Sequence, residues 1–263
     1  MKLACARIKG KKCFGIVEKD DFFPIKGNLF GKKEKTGEKF ALKDLRLLAP
    51  ITPFQILCVG KNYADHAAEF HSVPPEKPLL FIKSNSSLCA PSQEVILPRH
   101  VTSEVDYEAE LAVVIGKDAY NVSSQDAHKY IFGYTCANDV SARNCQRADG
   151  QWARAKSMDT FCPLGPWIET DLDVNDLAIE GRLNGRVMQK ARTSLLIHSV
   201  PKLIEYFSAG MTLKKGTVLL TGTPAGCGFA REPKVFLRDG DIYEVEIEGI
   251  GILQSRFREK TAQ

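Results

Sequence analysis

No apolar run in the chain approaches the ~20 residues that a membrane-spanning helix requires, and the protein is expected to be soluble, with no membrane partner. The amino terminus, Met1-Lys-Leu-Ala-Cys-Ala-Arg-Ile-Lys-Gly10, lacks the apolar core of a secretory signal. It is basic and free of acids until Glu18, as a transit peptide would be, but the same residues also suit a short strand. Missing too is any Cys-x-x-Cys pair. The eight cysteines, at 5, 13, 58, 89, 136, 145, 162 and 227, stand apart and mostly inside apolar segments, and no His stands at zinc spacing. Neither a disulfide framework nor a zinc site is expected, and reduced thiols point to a cytoplasmic compartment. There is no Gly-Lys-Ser/Thr phosphate loop, no internal repeat and no low-complexity tract. The net charge of +4 is spread along the chain, which argues against a nucleic-acid partner.

What is present is an ordinary globular composition, 44% hydrophobic and 26% charged, over 263 residues. Residues 1–52 hold strand candidates (Leu3–Ile8, Cys13–Val17, Lys39–Leu42) among lysine- and glycine-rich turns, a small β domain ending near Pro50 and Pro53. Residues 53–263 then form the larger domain. In it, Gln55–Gly60, Pro78–Lys83, Tyr130–Ala137 and Thr217–Leu220 read as strands. Ser123–Tyr130 and Ser199–Gly210 read as helices, the latter with proline in its first turn and Leu203, Ile204 and Phe207 as its buried stripe. From Lys234 to Phe257 the pattern predicts strands, with Asp239-Gly240 turning between two of them.

The most informative stretch is Glu104-Val-Asp-Tyr-Glu-Ala-Glu-Leu-Ala-Val-Val-Ile-Gly116. Its second half is a continuous apolar run, the mark of a buried strand, and its first half carries carboxylates at every second position. Alternation along a strand turns Glu108 and Glu110 toward the same side. Of two like charges entering a buried strand, one must protonate or find a cation; Lys or Arg could serve, but a divalent metal is the more economical partner for oxygen ligands at this spacing. A hydrated, solvent-facing strand end is the plainer alternative.

Other residues of interest follow. Asn62 can cap a helix, with Asp65 answering it in the first turn. On that helix His66 and Glu69 share a face, a pairing that can polarise water, though on spacing alone an exposed helix with an incidental pair is the plainer reading. Tyr130–Ala137 delivers Asn138-Asp139, followed by Arg143 and Gln146. Lys156 is a possible cationic partner, yet lone lysines belong mostly to the surface. Thr221-Gly-Thr-Pro-Ala-Gly226 joins hydroxyls to flexible backbone and can hold an oxyanion, although glycine-rich turns after strands are usually only turns.

Taken in order, Gly60-Lys-Asn-Tyr-Ala-Asp-His-Ala-Ala-Glu69, Asp106-Tyr-Glu-Ala-Glu-Leu111, Asn138-Asp-Val-Ser-Ala-Arg143, Ala155-Lys156 and Thr221–Gly226 resemble the fumarylacetoacetate hydrolase superfamily. The resemblance spans roughly residues 53 to 257 and lies with shorter members related to acylpyruvate hydrolases and oxaloacetate decarboxylases. It implies a mostly β, α+β fold, a mixed β-sandwich roll with a small amino-terminal β domain, commonly a homodimer. It implies Glu108, Glu110 and Asp139 as ligands of Mg²⁺ or Mn²⁺, Lys156 beside the metal, and His66 with Glu69 as the water-activating pair. Arg143, Gln146 and Thr223, with Lys83 nearby, match positions lining the pocket for a small 2-oxo acid. The activity expected is hydrolysis or decarboxylation at a C–C bond through an enolate. Isomerisation of a hydroxymuconate-type dienoate is the alternative, and a non-catalytic metal- or ligand-binding relative a third.

Overall fold

The computed structural model describes residues 1–259. Two large sheets face each other across one core. In the larger, the order of neighbouring strands is Asp21–Lys26, Lys11–Glu18, Lys2–Ile8, Cys162–Glu169, Ile131–Asn138, Ala109–Ile115, Val218–Leu220, Ile56–Gly60 and Leu79–Lys83. The smaller runs Val95–Leu97, Gly251–Glu259, Ile242–Ile247, Ala178–Leu183 and Arg186–Arg192. This is the mostly β sandwich expected from the sequence.

The strand Ala109–Ile115 lies in the middle of the larger sheet, between Ile131–Asn138 and Val218–Leu220, and all of its residues are buried. A strand covered on both faces needs apolar residues at every position, which is why this stretch shows no alternation in its second half. Leu111, Val113 and Ile115 pack toward Tyr243, Val245 and Leu253 of the smaller sheet. Ala112 and Val114 pack the other way, against Ile56, Cys58, Cys162 and Leu220. By contrast, Ala178–Leu183 and Ile242–Ile247 bury every second residue and present the rest outward.

The amino-terminal strands are stitched to this frame where Leu3 pairs with Ile168. They also keep a small core of their own, Ala4, Ala6, Ile8, Val17 and Phe22. The strand Asp21–Lys26 was not anticipated, because Pro24 interrupts a ladder donor; it pairs opposite Gly15 in this short hairpin. Lys39–Leu42 shrinks to Phe40–Ala41 and a 3₁₀ turn, Leu42–Asp44.

Three further expectations fail locally. Ser123–Tyr130 is helical only as a 3₁₀ turn over Ala127–Tyr130. Ser123 and Asp126 bond to each other, the side-chain competition that keeps such residues out of helix interiors. The helix that carries His66 runs Ala64–Glu69, and Tyr63, not Asn62, stands at its cap. The Asn62 amide is spent elsewhere, donating to the carbonyls of His198 and Thr221 and accepting from the His198 N–H. Finally, Asp239-Gly240 precedes Ile242–Ile247 instead of joining two strands, since Lys234–Arg238 forms no strand and is held by Val235 N–H to Gly228 O and Leu237 N–H to Val105 O. The hairpin turn lies at Glu248–Ile250.

Candidate active site

Three carboxylates meet because of one register. Ala109 pairs with Asn138 and Glu110 with Ala137 in antiparallel strands, which sets Glu108 opposite Asp139; the Asp139 N–H donates to Glu108 O at 2.9 Å. Residues opposite one another in such a pair point to the same face, and so do Glu108 and Glu110 along their own strand. One oxygen from each of Glu108, Glu110 and Asp139 therefore lies within 4.8 Å of the others, and all three residues are buried.

Cations reach this cluster from three directions. Lys156, closing the short helix Ala153–Lys156, places Nζ 2.6 Å from Glu108 Oε2 and 2.7 Å from Asp139 Oδ2. The surface position typical of a lone lysine is thus overturned, for Lys156 is only 2% exposed. Lys83, at the end of Leu79–Lys83, donates to Asp139 Oδ1 at 2.6 Å and to Val140 O at 3.2 Å. Its reach is consumed there, so it supports Asp139 from behind and does not line the cavity expected of a substrate residue. Arg143 holds Asp106 through Nε at 2.8 Å and donates from Nη1 to Gln146 at 3.0 Å. Its Nη2 stands 2.8 Å from Glu108 Oε1 but does not aim an N–H at any acceptor, leaving a buried donor unspent.

The carboxylates are not equivalent. Burial alone would raise Glu108, but the Lys156 ammonium and the Arg143 guanidinium outweigh it and hold the carboxyl at about 2. Burial would likewise lower Lys156, and the Asp139 and Glu108 charges overcome it and hold the ammonium above its usual range. Glu110 goes the other way. Burial, then the neighbouring Asp139 and Glu108 charges, push its carboxyl well above the ordinary range, and the Gly222 N–H at 2.7 Å offsets this only in part. Among the described residues no Lys or Arg pairs with Glu110.

Opposite this wall stands the helix Ala64–Glu69. His66 Nδ1 lies 3.4 Å from Glu69 Oε2, and Glu69 Oε1 accepts from the Gly226 N–H at 2.7 Å. The expectation of an exposed, incidental pair is corrected for His66, which is 6% exposed and lines the cavity. The Thr221–Gly226 loop runs close to both walls. Gly222 has φ +103° and a Cβ there would meet Asn62 Cβ at 2.8 Å; Gly226 has φ +107° and a Cβ would meet Met188 O at 2.0 Å. Glycine is obligatory at both positions. Thr223 donates to Ala109 O at 3.0 Å and accepts from Gln189 Nε2 at 2.8 Å, so it is fixed while still lining the cavity.

The cavity between the walls has a volume of about 230 Å³. Of the expected residues, Glu108, Glu110, His66, Arg143, Gln146, Lys156 and Thr223 line it, whereas Asp139 and Glu69 stand behind. Val59, Gly60, Lys61 and Arg147 complete the lining together with four aromatics: Phe70 stacks on Phe229 with centroids 5.6 Å apart, and Phe81 meets Trp152 edge-on at 5.3 Å. None of these four was foreseen, and isolated aromatics give no local signal. Asp106 was visible in the alternating acids but its task was not. It anchors Arg143 and accepts from the Gly228 and Phe229 N–H groups, tying the guanidinium to the loop.

Four buried acids (Asp106, Glu108, Glu110, Asp139) thus face three buried bases (Lys83, Arg143, Lys156). A converging set of carboxylate oxygens with one acid left unneutralised has the donor chemistry of a hard divalent cation such as Mg²⁺ or Mn²⁺. The residues fit that group.

Comparison with known proteins agrees with this architecture. Residues 55–258 match the family model described as fumarylacetoacetate (FAA) hydrolase C-terminal, and residues 1–50 the one described as Rv2993c-like, N-terminal. The chain is 49% identical over 227 residues to Protein Rv2993c of Mycobacterium tuberculosis, covering 85% of this chain and 83% of that one. It is 42% identical over 224 residues to the oxaloacetate tautomerase YisK of Bacillus subtilis, covering 82% and 74%. The crystal structure of a 5-carboxymethyl-2-hydroxymuconate delta-isomerase from Mycobacterium smegmatis superposes with a TM-score of 0.90 at 43% identity, covering 99% and 100%.

Proposed function

The chain belongs to the fumarylacetoacetate hydrolase family, and we propose that it relocates a proton on a small 2-oxo acid through an enolate, a keto–enol tautomerisation or dienoate isomerisation. The observation that carries this reading is the placement of a proton carrier, His66, across one cavity from the Glu108/Glu110/Asp139 cluster. A tautomerase and an isomerase among the similar proteins support it. This order reverses the expectation from sequence, in which bond cleavage came first.

Glu108, Glu110 and Asp139 would hold Mg²⁺ or Mn²⁺, which when bound supplies Lewis-acid stabilisation of the negative charge developing on a 2-oxo acid. The chain's own residues do the rest. Lys156 and the unspent N–H of Arg143 offset the acidic wall, so an anionic substrate can enter. With Nδ1–H donating to Glu69, His66 keeps Nε2 as the basic nitrogen, able to take a proton from the substrate carbon and return it elsewhere. The Gly226 N–H fixes Glu69, and so the tautomer and tilt of the ring. Phe70, Phe81, Trp152 and Phe229 exclude water from the reacting carbon.

That aromatic wall favours a second reading, in which the substrate carries an acyl arm and a water activated by His66 cleaves the C–C bond of an acylpyruvate; loss of carbon dioxide from oxaloacetate would use the same enolate. A panel of oxaloacetate, acylpyruvates and 5-carboxymethyl-2-hydroxymuconate, with Mg²⁺ or Mn²⁺ and again with chelator, tests both. Proton relocation predicts metal-dependent exchange of the C3 hydrogens of oxaloacetate into heavy water, followed by NMR and lost in His66→Gln. Cleavage predicts pyruvate release, with His66→Ala damaging acylpyruvate hydrolysis more than decarboxylation. Turnover of no panel member despite metal binding would overturn both in favour of a ligand-binding protein.

A further inference from the structure

A second cluster of ligating atoms lies behind the proton carrier. Cys227 Sγ stands 3.8 Å from His66 Nδ1, which in turn is 3.4 Å from Glu69 Oε2, and one atom from each of the three lies within 4.8 Å of the others. A tetrahedral zinc ion, with bonds of about 2.0–2.3 Å, would separate its sulfur and nitrogen ligands by about 3.6 Å and its nitrogen and oxygen ligands by about 3.3 Å. The observed edges already stand close to those lengths. The ligands are also held from outside: Gly226 N–H fixes the other oxygen of Glu69, and Gln189 Nε2 donates to Cys227 Sγ at 3.7 Å. Cys227 is fully buried, while His66 lines the cavity. Among the described residues only this cluster and the three-carboxylate cluster gather such groups, and this one alone contains sulfur.

We propose that His66, Glu69 and Cys227 form a site for a thiophilic divalent ion, zinc in the first instance, whose occupancy switches off the proton carrier. Ligand softness separates the two clusters, all-oxygen for a hard cation and nitrogen, oxygen and sulfur for a soft one. On binding, the ion displaces the Cys227 thiol proton to solvent and forms the metal–sulfur bond. It takes the Nδ1 lone pair, so the ring proton moves to Nε2 and that nitrogen can no longer accept one from substrate. The inhibitory half rests on the assignment of the proton carrier to His66; the binding half does not.

The test uses the magnesium-saturated enzyme titrated with cadmium, read by the ultraviolet thiolate-to-cadmium charge-transfer band and by proton release, and with zinc, read by turnover. The band and release of one proton are expected in the wild type and in Cys13→Ser, and loss of the band in Cys227→Ala. Zinc is expected to abolish turnover in the wild type and to lose that effect in Cys227→Ala. Should Cys227→Ala not fold, Glu69→Gln answers on the same band, with cadmium affinity weakened roughly 10- to 100-fold. Absence of the band in the wild type, or an equal band in Cys227→Ala, overturns the site. A Cys227-dependent band with turnover intact overturns the inhibition and with it the role given to His66, while leaving the site in place.

Discussion

On one wall of the cavity the ionisable side chains hold one another; on the other, a six-residue helix is held from outside. Asp106, Glu108, Asp139, Lys83, Lys156 and Arg143 form a connected set of buried pairs drawn from strand ends and short helical segments. His66 and Glu69 instead sit on a helix without a side-chain cap, positioned by the Gly226 N–H and by the Asn62 amide just before it. The difference teaches where each wall is vulnerable. Removing one member of the ionic wall strands a charge, whereas removing a member of the helical wall costs chemistry with little charge imbalance.

Breaking the contrast at its strongest point, Glu110→Ala is expected to abolish metal binding and turnover together, because no other described residue supplies the third oxygen. Calorimetry with Mn²⁺ alongside the activity assay checks it, and full activity in chelator would contradict it. Next, Lys156→Met leaves Glu108 and Asp139 short of a cation and should cost about 3–5 kcal/mol in urea unfolding without metal. Added Mg²⁺ should recover part of that loss. On the helical wall, His66→Gln should lower turnover by about 10²–10⁴-fold with unfolding midpoint and Mn²⁺ affinity nearly unchanged. A collapse of stability in that variant would erase the distinction between the walls. The smallest effect is expected for Asn62→Ala, which frees the turn before the helix and leaves buried carbonyls unmet, at about 1–3 kcal/mol. Hydrogen exchange over residues 62–69 should rise there while the strand Ala109–Ile115 stays protected.

A fifth measurement contrasts the thiols. Burial pushes Cys89 and Cys162 up to about 12, and all cysteines except Cys13 are buried. Alkylation of the folded protein near pH 8 should therefore label Cys13 first, with the others reacting only on unfolding.

Much of the acidic wall was legible in the sequence, because alternation along a strand is a local property and Glu108 and Glu110 stand two residues apart. The helix Val200–Ser208, with its proline and its Leu203, Ile204 and Phe207 stripe, was legible for the same reason. Lys156 was not. Its surroundings in sequence say surface, and only the packing of Ala153–Lys156 against distant strands buries it between two carboxylates. Cys227 was one reduced thiol among eight, and nothing near it in sequence announces His66, 161 positions away. Asn62 had the identity of a helix cap but was claimed by His198 and Thr221, whose positions no local rule supplies.

The chain by itself determined which side of each strand its acids occupy, which segments turn to the core, and which family pattern they compose. The fold alone decided who stands opposite whom: Asp139 across from Glu108, Lys83 behind Asp139, a thiol against the histidine. Facing is set by bond geometry repeated every two residues, whereas neighbourhood across a sheet depends on the register between strands far apart in the chain, which is fixed only when the whole core packs.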